Sequence, residues 1–126
     1  MSPASPVTAF RTTVEFPAGT AFRDVGMLVL GGVASRFELP LDRVDELLLA
    51  VESVLLQDAA SPMIRLEAEV APTGLRVLLG SFSPATLADQ SLRRVLERLV
   101  DEIVEQPGGD ETAIQLVVAA PYRDGA

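Results

Sequence analysis

The chain has 126 residues, 48% of them apolar and 22% charged, with a formal net charge of −8, enough apolar material for one buried core and the wrong balance for a disordered chain. It contains no His, Cys, Trp, Lys or Asn, which excludes His-based nucleophilic triads, His or Cys metal sites, disulfides, Schiff-base lysines and the lysine-dependent phosphate loop. All ten basic residues are arginine, and a chain this acidic repels nucleic acid while favouring basic protein surfaces.

Residues 1–8 carry two prolines and two serines and read as a loose leader. The start, "MSPASPVTAF", has neither the basic opening nor the continuous apolar core of a secretory signal, and no apolar run reaches membrane-spanning length. A cytoplasmic address is expected. "AFRTTVEF" (9–16) alternates with strand period and is rich in aromatic and β-branched residues, so it predicts a first strand. "PAGT" (17–20) ends it. The next segment, 21–37, predicts a helix with Val25, Leu28, Val29, Gly32 and Val33 on its inner face, loosened by Gly31 and Gly32. Pro40 and Asp42 open a second helix over about 42–57. Asp42 is expected to cap its first turn, with Asp45 and Glu46 suiting the positive helix end. Its apolar stripe is Val44, Leu47, Leu48, Val51 and Leu55.

"MIRLEAEV" (63–70) and "GLRVLLGSF" (74–82) flank a short turn and predict a hairpin. Residues 83–90 read as a loop or short helical turn. "SLRRVLERLVDEIVEQ" (91–106) predicts a third helix: Leu92, Val95, Leu96, Leu99 and Ile103 share a face, with Arg93–Glu97 and Arg98–Glu102 as exposed i,i+4 pairs. "PGGD" is expected to stop that helix. Residues 111–121 predict a last strand, and 122–126 a frayed tail. The order β-α-α-β-β-α-β implies a single domain over 9–121, an α+β two-layer sandwich: a mostly antiparallel sheet with helices on one face.

One residue in this pattern invites a functional reading. Glu52 stands in "ELLLAVESVLLQD" (46–58), where an unpaired buried carboxylate costs several kcal/mol. Three readings of it stay open: a solvated position beside Arg65 or Arg76, a catalytic or ligand-contacting group, or a partner contact. Arg93, Arg94 and Arg98 read as a solvated helix face.

The segment from "VEFPAGTAFRDVG" to the second helix, with its "AVES", together with the ending "LVDEIVEQPGGDETAIQLVV", resembles the bacterial anti-sigma-factor serine kinases of the GHKL, or Bergerat-fold, ATPase superfamily. The likeness runs from about residue 10 to 119. It implies a helix-two Glu that positions the nucleophile, and Glu52 falls at that place as a vestigial catalytic residue. It also implies a magnesium-binding Asn four residues later, where this chain has Leu56. The adenine-reading Asp and its following Gly fall on Gly80 and Ser81, and the glycine-rich lid falls on "SPATLADQSLRRVL" (83–96), which holds no glycine. Leu56 is therefore expected to pack in the core and fill a closed, dry metal site.

What the resemblance implies is a degenerate member that needs no cofactor or metal. It would be a pseudokinase-like, non-catalytic regulator that binds a sigma factor or an anti-sigma antagonist. Dimers in that family form near the first strand and first helix, so a homodimer is expected. Two alternatives remain: an active serine kinase holding ATP and magnesium with Glu46, Glu52 and Gln57, and an unrelated small α/β scaffold or ligand-sensing domain.

Overall fold

The structure, a computed structural model, describes residues 10–36, 39–72, 74–109 and 111–119. The expected leader, the tail, and turn positions 73 and 110 lie outside these residues, as do 9, 37, 120 and 121 at the ends of predicted elements. In chain order the elements are β1 (Phe10–Pro17), α1 (Thr20–Arg36), α2 (Leu41–Leu55), β2 (Met63–Ala71), β3 (Gly74–Phe82), α3 (Pro84–Leu87), α4 (Gln90–Leu99), β4 (Glu102–Gly108) and β5 (Glu111–Ala119). The strands form an antiparallel sheet in the order β1-β2-β3-β5-β4. This is an α+β fold.

Strand alternation sorts the side chains into two faces. Val14, Leu66, Leu79 and Ile114 stand opposite one another across β1, β2, β3 and β5, and the next inward row is Ala68, Val77, Leu116 and Ile103. The β2, β3 and β5 members of these rows are buried, and the helices cover them. α1 packs on β1 and β2, α4 on β4, and α2 lies between α1 and α4. α2 supplies Val44, Leu47, Ala50, Val51 and Val54 to the core. A fully buried leucine such as Leu47 contributes about 1.5–3 kcal/mol of transfer free energy. No helix of the described residues covers the opposite sheet face, which carries the ion pairs Arg11–Glu69 (2.8 Å), Arg65–Glu67 (3.5 Å) and Arg76–Glu69 (3.7 Å). The hydrogen bond and charge of Glu69 hold the Arg11 guanidinium more firmly protonated than usual. No helix among the described residues is long and apolar enough to cross a membrane.

Three sequence expectations are corrected. The helix expected over 91–106 stops at Leu99, and its second half is strand β4. "VDEIVEQ" satisfies either period, and partners distant in sequence settle the matter. Seven residues of β4 pair with β5, from Glu102 opposite Val117 to Gly108 opposite Glu111. The helix exit is fixed by Asp101: its N–H donates to the Val117 carbonyl (2.9 Å), and its carboxylate accepts from the Ala119 N–H (2.7 Å) and from Arg43 (2.6 Å). The Arg98–Glu102 helical pair therefore does not form, and Arg93 reaches Glu105 on β4 (3.3 Å) rather than Glu97. Of the expected helix stop, Pro107 and Gly108 are instead the last residues of β4, and Gly109 follows them in a turn at φ +76°.

The inner face of α1 also differs. Gly26, Leu30, Val33 and Ala34 are buried, whereas Val25, Leu28 and Gly32 are exposed. α1 is apolar on nearly every side, so periodicity could not say which side faces inward. Finally, Asp42 caps nothing: α2 begins after Pro40, whose carbonyl accepts from the Val44 N–H at 3.0 Å.

Candidate functional site

The residues singled out in sequence sit on three elements. Glu52 lies on α2 among Ser53 and Leu49, turned away from the helix's core stripe and half-buried. It has no hydrogen-bond or ion-pair partner among the described residues. The expected neighbours Arg65 and Arg76 are on the helix-free face of the sheet, paired with Glu67 and Glu69. Glu52 is thus a solvent-side carboxylate of α2, without the arginine partner expected for it.

Leu56 is the C-cap of α2 and is 59% exposed. It does not pack in the core, which corrects the expectation that it fills a closed site. It forms one wall of a groove of about 400 Å³ bounded also by Ala18, Gly19, Gln57, Asp58 and Ile64. The Gln57 amide folds back and donates to the Ser53 carbonyl (3.1 Å), while the Ser53 hydroxyl donates to the Leu49 carbonyl (2.8 Å). Both polar side chains near Glu52 are therefore turned onto their own helix.

Gly80 and Ser81 lie near the end of β3. They border a different groove, of about 460 Å³, with Glu15, Arg65, Glu67 and Leu78 on the helix-free face. The Ser81 hydroxyl donates to the Glu111 carboxylate (2.5 Å), and its carbonyl accepts from the Ala60 N–H (2.9 Å). A side chain at Gly80 would press on Ala113 at 3.3 Å, so the absence of a Cβ serves close approach of β3 and β5. The sheet separates this groove from the one beside Leu56. The structure does not bring Glu52 and Leu56 together with Gly80 and Ser81.

The alternative magnesium set is also dispersed. Glu46 is engaged by Arg43 at 2.8 Å. Glu46 and Gln57 are about 16 Å apart along the helix direction, too far to meet one cation. Residues 83–89 form two capped turns. Ser83 caps α3, accepting from the Thr86 N–H (3.2 Å), and Asp89 caps α4, accepting from the Ser91 N–H (2.9 Å). Leu87, fully buried, pins the segment to the core. No group of three or more His, Cys, Asp or Glu suited to a metal ion is found among the described residues.

Sequence reasoning missed two features. One is the Arg43–Asp101 tie between the start of α2 and the end of β5; nothing local marks a pair 58 positions apart. The other is the set of exposed leucines on α2, Leu41, Leu49 and Leu56. Their signal was present: in "LLL" (47–49) consecutive residues are turned by about 100°, so three in a row cannot all face one core. No family model matches the chain, and no curated protein matches it.

Proposed function

We propose that the chain is a non-catalytic regulator of anti-sigma type, working as a homodimer in a bacterial cytoplasm and holding a sigma factor or the antagonist protein that releases it. The observation that carries this reading is an apolar helix face beside a sheet edge, neither of them covered by another described element. α1 leaves Leu28 79% exposed, with Val25 one turn before it. A helix apolar on nearly all sides is at home only when both faces are covered. β1, on which α1 packs, is a sheet edge of eight residues with proline only at its end. The other edge, β4, carries two charges as β1 does, but it also holds Pro107 inside the strand, which removes a backbone donor and discourages strand addition. An open β1 edge accepts main-chain hydrogen bonds from another strand. The sequence resemblance supports the same reading, since it places the dimer contact on this strand and helix.

The kinase alternative requires Glu46, Glu52 and Gln57 to serve one magnesium ion, and their spacing along α2 argues against it. Calorimetric titration of the chain with sigma factors and antagonist proteins from its own genome decides between the two. The regulator predicts saturable binding of micromolar strength or better, unchanged by Mg·ATP, and no phosphate on the antagonist. Micromolar binding of Mg·ATP itself, or phosphate appearing on an antagonist serine, would overturn it.

A further inference from the structure

Leu41, Asp45, Leu49, Glu52 and Leu56 fall within about 80° of arc on α2, on the side opposite its buried stripe. The three leucines are 75%, 53% and 59% exposed. Neither acid has an ion-pair or hydrogen-bond partner among the described residues, and nor does Asp42 at the same end. The outer face of the central helix is therefore a ladder of apolar rungs alternating with carboxylates that no described residue pairs. Large apolar side chains repeated at regular spacing on one exposed helix face differ from singly scattered surface residues and suit an interaction surface.

We propose that this face is the docking surface for a basic amphipathic helix of a partner protein. The leucines are separated by eight and then seven residues, about 12 and 10 Å of helix rise, which matches two turns of a second helix laid alongside. A helix satisfies its own backbone hydrogen bonds, whereas a strand laid on α2 would find no free backbone group to pair with. Arginine or lysine placed beside the partner's apolar anchors would meet Asp45 and Glu52, so charge supplies orientation and rate while the leucines supply affinity. A second copy of this chain is disfavoured on this face, because a two-fold contact sets the acidic ladder against itself. An anionic lipid surface is disfavoured for the same reason. α1 and the β1 edge remain available for the dimer while α2 holds a partner.

This inference rests on the reading of the chain as a protein-binding regulator, and it specifies the surface and the partner's chemistry. The probe is a fluorescein-labelled synthetic helix of about 18 residues, long enough to run beside all three leucines, with leucines at heptad spacing flanked by arginines. A control peptide carries glutamate in place of every arginine. Anisotropy should show saturable binding of the basic peptide that weakens with salt, and little binding of the acidic one. Leu49→Ser with Glu52→Arg should weaken it at least about tenfold, and Asp45→Arg with Glu52→Arg should instead admit the acidic peptide. Asp45 and Leu49 are exposed and Glu52 is half-exposed, so unchanged circular dichroism serves as the folding control. Failure of the basic peptide to saturate by about 1 mM, the weak end of specific affinity, or equal binding to wild type and both variants, overturns the proposal. If a sigma factor or antagonist binds the Leu49→Ser, Glu52→Arg chain undiminished, the α2 surface is wrong and the regulator reading stands. Should the peptide bind at α2 while no sigma factor or antagonist binds, the surface stands and the regulator reading falls.

Discussion

At Gly26 a single hydrogen lets α1 lie close against β1. A Cβ there would stand 2.8 Å from the Phe16 ring, closer than packed carbons allow. Gly26→Ala should therefore destabilise the protein by about 1–3 kcal/mol, the usual cost of overpacking, seen as a lower midpoint in urea. Gly31, on the same helix, is the control: a Cβ meets nothing within 4 Å, so Gly31→Ala should raise stability by about 0.5–1 kcal/mol through helix propensity. Asp101 carries the other test at this scale. Its carboxylate joins Arg43 to the Ala119 N–H, and it is 45% exposed, so solvent screens part of the interaction. Asp101→Ala should cost about 1–2 kcal/mol by the same measurement. No local pattern marked Asp101 for this role. Glu52 shows the opposite case: its place on α2 was readable from sequence, but its surroundings were not. The expected arginine neighbours belong to the other face of the sheet, and that depends on how the layers stack.

Among the elements, those with one dominant period were legible and those with two were not. β1, α2 and the β2–β3 hairpin begin and end within a residue or two of their expected places. Strand alternation, or a single apolar stripe, leaves little choice there. α1 was found as a helix but not oriented, because apolar residues surround it and the inward side is chosen by Phe16 and Leu66 rather than by its own sequence. β4 was missed because Leu99 to Val104 fits a helix as well as a strand, and only β5 offers the partner that decides. Gly109 tests this assignment. Its φ of +76° suits a hairpin turn and is strained for other residues. Gly109→Ala should cost about 1 kcal/mol, read from chemical denaturation, and should raise amide exchange first along β4.

For the whole molecule, the division of labour follows from the layers. One sheet face and one helix layer enclose the core, and the other sheet face and the outer helix sides are left to solvent. The residues expected to form a nucleotide site are distributed over two faces and do not converge, whereas the exposed apolar side chains of α1 and the edge strand β1 belong to elements packed on each other. That separation was not visible in sequence, because it requires knowing that Gly80 and Leu56 end on opposite sides of one sheet. The central claim is that the β1–α1 side is a protein interface that joins two copies. Light scattering coupled to size exclusion, at tens of micromolar, tests it most directly. The wild-type chain should elute at twice the chain mass, and Leu28→Arg, which places a charge in the middle of that face, should elute at the chain mass with its helix content intact. A wild-type chain that remains strictly monomeric at that concentration would contradict the account.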